Sequence, residues 1–151
     1  KNSKVLVVGA GGLGSEALKN LALAGVGSGG KLTIVDGDTV ELSNLNRQFL
    51  FRESDVGKMP KAEAAAERLQ ELNPDVEVSV TAVNERLTPE NAEEFIEGFQ
   101  LDVVVDALDN FEARLLINGL LLLLDACVKL GIPLIEAGTL GLKGQVTVFI
   151  P

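Results

Sequence analysis

The stretch Val5-Leu6-Val7-Val8-Gly9-Ala10-Gly11-Gly12-Leu13-Gly14 decides the reading of the whole chain. Its unbroken Val and Leu residues predict a strand buried on both faces, as strands of parallel sheets are. The glycines predict a tight turn into a helix over Leu13–Ala24, with Ala17, Leu18, Leu21 and Ala22 on one stripe. A strand that ends in this way leaves the first N–H groups of the helix without partners and directed at one point. The partly positive helix start, and glycines that let an anion approach closely, suit that point to phosphate. Gly9, Gly11 and Gly14 have the spacing of a dinucleotide-type fingerprint, with the strand before and the helix after that it requires. The competing reading is a strand–helix turn that holds no ligand.

Working outward, Gly25–Gly30 is a flexible turn and Lys31–Val35 a second strand that ends at Asp36. Gly37–Arg52 lacks periodicity and reads as a long functional loop with a short helical turn near Leu45–Leu50. A helix from Lys58 or Met59 to Leu72 stops at Asn73-Pro74, and the alternating segment Val76–Val83 is a third strand. Thr88-Pro89 supplies an N-cap and first helical position for a helix to Phe99. Leu101–Ala107 is a fourth strand, followed by a helix over Phe111–Leu130. Leu134–Ala137 and Val146–Ile150 are further strands, joined by a turn over Gly138–Gly144. This alternation predicts an α/β fold: a Rossmann-like, doubly wound, mostly parallel sheet with helices on both faces, in a single domain over residues 1–151. Ligands of such sheets sit beyond the C-terminal strand ends, where the glycine turn, Asp36 and Asp106–Asn110 converge.

Composition narrows the chemistry. Against 13 Lys and Arg stand 22 Asp and Glu, a formal charge of −9. That balance argues against nucleic acid or an anionic membrane as the main partner, while leaving room for a local basic pocket. Histidine is absent, which excludes imidazole bases, Ser-His-Asp triads and histidine metal sites. Charge chemistry falls to carboxylates, Lys, Arg, backbone dipoles or a bound metal. The one cysteine, Cys127, allows no internal disulfide and no Cys-pair zinc site, and reads as core. The most apolar run, Leu115–Leu124, is about half a membrane span and is closed by Asp125. The expectation is a soluble intracellular protein, cytoplasmic or nuclear. A chain that opens on Lys and enters its first strand at once has the look of an excised or consensus-like core.

Several residues are candidates for the site. Asp36 stands where a carboxylate accepts both ribose hydroxyls of a nucleotide, which fits NAD as well as ATP; the alternative is an ordinary loop aspartate. Asp38 and Glu41 read as solvated, with Asp38 able to position its neighbours. The segment Ser43-Asn44-Leu45-Asn46-Arg47-Gln48-Phe49 offers a guanidinium and amides that can hold phosphate oxygens. Lys61, in the first turn of its helix, opposes the helix dipole, so it is there either as a mobile positive charge or as a solvated lysine. Asp109 can hold Mg²⁺ between phosphates or cap the helix from Phe111, with Asn110 as another cap.

With Gly9–Gly14, Asp36-Gly37-Asp38, SNLNRQFLFR, ALDN and GTLGLKGQV in view, the chain closely resembles the ThiF-type adenylating domain over essentially its full length. That domain is the core of ubiquitin-activating enzymes and of the sulfur-carrier activating enzymes of thiamine and molybdenum-cofactor synthesis. The resemblance implies adenylation of the C-terminal glycine of a ubiquitin-fold carrier protein with Mg²⁺ and ATP, releasing pyrophosphate. It implies that Gly11 and Gly12 contact phosphates and Asp36 the ribose, and that Asn44, Arg47, Gln48 and Lys61 contact phosphates and the transition state. Asp109 falls on the family's aspartate at the metal. Arg47, Lys61 and Asp109 are then the catalytic residues. The family also implies a homodimer, or a pseudo-dimer with a paralogous domain.

This sequence departs from the family pattern in places. Gly57–Lys61 is one residue longer than usual, so Lys58 competes with Lys61, which is favoured. The N-terminal arginine segment, zinc-binding Cys pairs and catalytic-cysteine region of the family lie outside these residues. Two other function classes stand beside the adenylating one. One is a nucleotide-binding or structural scaffold without turnover. The other is an NAD-dependent oxidoreductase, which only the glycine turn and Asp36 support.

Overall fold

A computed structural model describes residues 2–73, 78–88, 90–108 and 119–151. The elements are β1 (Lys4–Val8), α1 (Gly12–Leu23), β2 (Lys31–Val35), α2 (Lys61–Leu72), β3 (Val80–Val83), α3 (Ala92–Phe99), β4 (Val103–Asp106), α4 (Gly119–Leu130), β5 (Leu134–Leu140) and β6 (Lys143–Phe149). Short 3₁₀ turns cover Leu42–Asn44 and Glu53–Asp55. The six strands form one sheet of order β3-β2-β1-β4-β5-β6. Every neighbouring pair is parallel except β5 with β6, which is antiparallel. This is the α/β, Rossmann-like, doubly wound architecture that the alternation predicts.

β1 lies inside the sheet, and its alternate residues serve two cores, as the period of a strand requires. Val5 and Val7 join Leu18 and Ala22 of α1, Leu32 and Ile34 of β2, and the alanine face and Leu69 of α2. Leu6 and Val8 join Ile96 of α3, Val104 of β4, and Leu123, Ala126 and Cys127 of α4 on the opposite side. The strand order reverses between β1 and β4, so the crevice at their C-terminal ends lies at the switch point where such sheets bind ligands.

Several boundaries differ from expectation, each for a local reason. α2 begins at Lys61 rather than Lys58 or Met59 because Pro60, extended at ψ 142°, restricts Met59 and ends the preceding clip. α3 begins at Ala92, after the expected Thr88-Pro89 start: the Asn91 carboxamide accepts the Thr88 N–H at 2.7 Å, while the Thr88 carbonyl accepts the N–H groups of Asn91 and Ala92. β3 begins at Val80, later than the expected Val76: Val78 and Ser79 precede the strand, and the Ser79 N–H bonds the Gly27 carbonyl at 3.0 Å. Val76 itself, Pro89, the expected helix start at Phe111, and Asp109-Asn110 lie outside the described residues. The expected turn Gly138–Gly144 is mostly strand: Thr139 pairs with Gly144 and Leu140 with Lys143, leaving a tight turn with Gly141 at φ +60°. Glycines compatible with a loop there extend a hairpin.

The α1–α2 layer reaches β5 of the hairpin but does not close over β6. Val148 pairs with Ile135, whose own partner Val105 belongs to the core under α1 and α2. Yet Val146 is 68% and Val148 56% exposed on β6. Among the described residues no helix is long and apolar enough to cross a membrane.

Candidate functional site

The glycine turn is shaped by close approach. Gly9 has φ +95°, and a Cβ there would lie 3.0 Å from the Ala107 carbonyl oxygen. A Cβ on Gly14 would overlap the Gly9 carbonyl oxygen, so the third glycine is what lets the helix pack on the strand end. Among the described residues α1, which starts after Gly11, has no side-chain cap and no acidic residue in its first turn. Its leading N–H groups, Gly12 included, have no acceptor within the helix. A Cβ on Gly12 would find Arg47 at 3.9 Å, which places Arg47 across the mouth of the turn.

Asp36 is tied directly to this turn. Its Oδ2 accepts the Ala10 N–H at 2.8 Å and its Oδ1 the Asp38 N–H at 2.9 Å. Each oxygen keeps a lone pair for a further donor such as a hydroxyl. Burial pushes the Asp36 carboxyl above its ordinary pKa; the two backbone N–H groups offset this only in part.

Lys61 arrives through a backbone clip. Val40 N–H bonds Met59 at 3.0 Å, Gly57 N–H bonds Val40 at 2.9 Å and Lys61 N–H bonds the Asp38 carbonyl at 2.8 Å. Thr39 and Pro60 form an isolated antiparallel bridge within the same clip. The Lys61 side chain is nearly buried, against the reading of a solvated lysine, and its Nζ lies 3.0 Å from Asp38 Oδ2. Lys58 is exposed, so Lys61 is the lysine that the clip delivers beside Asp38 and Asp36. The other Asp38 oxygen accepts Arg86 Nη2 at 2.7 Å. Burial raises the Asp38 carboxyl, but the bonds from Lys61 and Arg86 outweigh it and hold the group below its ordinary value.

The loop that carries Asn44, Arg47 and Gln48 is a series of tight turns, and its 3₁₀ turn comes earlier than the expected Leu45–Leu50. Asn44 is buried and its Oδ1 accepts the Glu41 N–H at 2.9 Å, so this oxygen holds the turn and its amide NH₂ is the group left for a ligand. Arg47 is exposed, with Nη1 on the Ser43 carbonyl at 2.8 Å. Gln48 is 2% exposed, and its Oε1 has no partner among the described residues. Leu50 and Phe51 anchor the loop in the core, and Lys19 of α1 sits 5.1 Å from the centroid of the Phe49 ring.

Thus Gly12, Asp36, Arg47 and Lys61 come together around the turn, with Gly11 as its cap residue and Asn44 and Gln48 on the loop above. Asp109, the expected metal ligand, lies outside the described residues. Sequence reasoning missed Arg86, and it read Asp38 as solvated, though able to position its neighbours, where the structure pairs it twice. Nothing marks Arg86 in the sequence, because its relation to Asp38 arises only when β3 is laid beside β2.

The site is suited to a nucleotide triphosphate by its uncapped N–H groups, the adjacent carboxylate and two cations at the mouth. The model of the ThiF family matches residues 1–151. Ubiquitin-activating enzyme E1 1 of Candida albicans is 47% identical over 99% of this chain, which spans 14% of that protein. The SAMP-activating enzyme E1 of Haloferax volcanii is also 47% identical over 99% of the chain, here spanning 50% of the relative. A crystal structure of E. coli MccB with ATP superposes with a TM-score of 0.80 at 28% identity, covering 99% of this chain and 41% of that one.

Proposed function

From a chain that belongs to the ThiF family, we propose a single adenylating domain that activates the C-terminal glycine of a ubiquitin-fold or sulfur-carrier protein with ATP. The observation that carries the proposal is the uncapped first turn of α1 facing Asp36, with Arg47 and Lys61 beside it. The ATP of the MccB structure, and the activation for which both relatives are named, support it. The carrier carboxylate attacks the α-phosphorus, the bond to the β-phosphate oxygen breaks, and pyrophosphate leaves with the electron pair. No proton has to be removed from a carboxylate at neutral pH, so the absence of histidine is no obstacle. Gly11 and Gly12 present N–H groups to phosphate, Asp36 accepts the ribose hydroxyls, and the amides of Asn44 and Gln48 fix the triphosphate. Arg47 and Lys61 answer the charge that develops on it, the kind of preorganised stabilisation that dominates such chemistry. Mg²⁺ would be held by Asp109, as the resemblance implies, and would neutralise phosphate charge. A second copy or a paralogous domain, and the carrier itself, are protein partners for which the apolar stripe of β6 offers surface.

The test is ATP–pyrophosphate exchange with a panel of ubiquitin-fold carriers. Exchange that requires a carrier and Mg²⁺ is expected, and Lys61→Ala or Arg47→Ala should lower it by roughly a hundredfold or more, as loss of one transition-state donor does. ATP binding without exchange for any carrier would contradict catalysis and leave a nucleotide-binding scaffold.

A further inference from the structure

Resting on the ATP reading, we infer that Asp38 and Arg86 are positioning residues for Lys61. Asp38 sets where the ammonium sits beside the glycine turn. Arg86, on the opposite carboxylate oxygen, keeps the Asp38 charge paired when the ammonium turns to phosphate. Three observations meet here. The Asp38 carboxylate bridges two cations, Lys61 at 3.0 Å and Arg86 at 2.7 Å, on different oxygens. Lys61 is fixed in backbone and nearly buried, so only its outer side chain can move. Arg86 is exposed in its guanidinium but held at its base: a Cβ on Gly37 would lie 2.5 Å from Arg86 Cγ and 3.0 Å from its backbone nitrogen. The Asn91 amide also donates to the Arg86 carbonyl at 3.1 Å.

The charges give the arrangement a direction. Asp38, Lys61 and Arg86 together carry one net positive charge; without Arg86 they carry none. A phosphate that draws Lys61 away from Asp38 would then leave a partly buried carboxylate unpaired, and that cost weakens binding. Arg86 therefore acts on phosphate through Asp38, without touching the nucleotide.

Calorimetric titrations with ATP and with adenosine test this. Arg86→Gln, which retains the Cγ packed on Gly37, should weaken ATP binding about two- to fivefold, the scale of one exposed ion pair. Adenosine, which has no phosphate for Lys61, should bind unchanged, and Arg86→Lys should restore most of the ATP affinity. In an Asp38→Asn background the same Arg86→Gln change should no longer alter ATP affinity. An equal loss in both backgrounds, an equal loss for adenosine, or no loss at all would overturn the inference. Failure of the unaltered protein to bind ATP would instead overturn the nucleotide reading, and the inference with it.

Discussion

At the scale of single residues, Asp36 and Asp38 respond to acid in opposite senses. Burial pushes Asp38 up, but the Lys61 and Arg86 bonds prevail, so its folded pKa lies below the ordinary 3.8. As pH falls from 3.8 the unfolded chain takes up the proton first. The stabilisation is complete above that value and is lost as pH falls through the folded one. Asp36 is raised above 3.8 by burial, so its contribution is present below 3.8 and lost as pH rises through its folded value. Urea unfolding of Asp38→Asn should therefore have a shallower acid limb below pH 3.8 than the unaltered chain; an equally steep limb would mean that the pairs contribute nothing. Cys127 offers a second check. It is buried and burial alone pushes its thiol up to about 11. A thiol reagent at neutral pH should label it only when the protein is unfolded, since the thiolate is the reactive form; rapid labelling of the native state would contradict the packing of α4. These residues differ in legibility. Cys127 was readable because an apolar helix without histidine leaves a thiol nothing but packing. Asp38 was not, because its partners come from α2 and from the loop after β3.

At the scale of elements, the clip that delivers Lys61 depends on the 3₁₀ turn before it. Asp55 is buried; its Oδ2 accepts the Arg52 N–H at 2.8 Å, and its Oδ1 lies 3.7 Å from the Arg68 guanidinium of α2. Asp55→Ala should cost about 1–3 kcal/mol, the effect of taking a charged acceptor from a partly buried N–H and from the Arg68 guanidinium. Unchanged stability in a denaturant titration would show that the clasp is redundant. Gly14→Ala tests the strand–helix junction: its methyl would overlap the Gly9 carbonyl, for a loss of about 1–3 kcal/mol or more by overpacking. Elements with strong internal signals, β1, β2 and the alanine-rich part of α2, were legible from the sequence nearly to the residue. The hairpin and the start of α3 were not. Gly138, Gly141 and Gly144 carry the same local signal in a loop and in a strand, and only cross-strand pairing separates the two.

At the scale of the whole molecule, the fold follows from one topological fact: the sheet is wound outward in both directions from β1 and β4, and the glycine turn lies where the winding reverses. The alternating pattern made this class legible, and the motif strings made the family legible. The open apolar stripe of β6 was not, since Val146 and Val148 look like core residues until the α1–α2 layer is seen to stop short of β6. The central claim is that the uncapped turn, Asp36 and Lys61 form a site for ATP. Thermal unfolding with ATP, ATP plus Mg²⁺, and NAD tests it most directly, because a ligand that binds only the folded state at a hundred times its Kd adds about 2.7 kcal/mol of stability. A rise with ATP that grows with Mg²⁺, and none with NAD, is the predicted result. A rise with NAD alone, or no rise with any nucleotide, would contradict it.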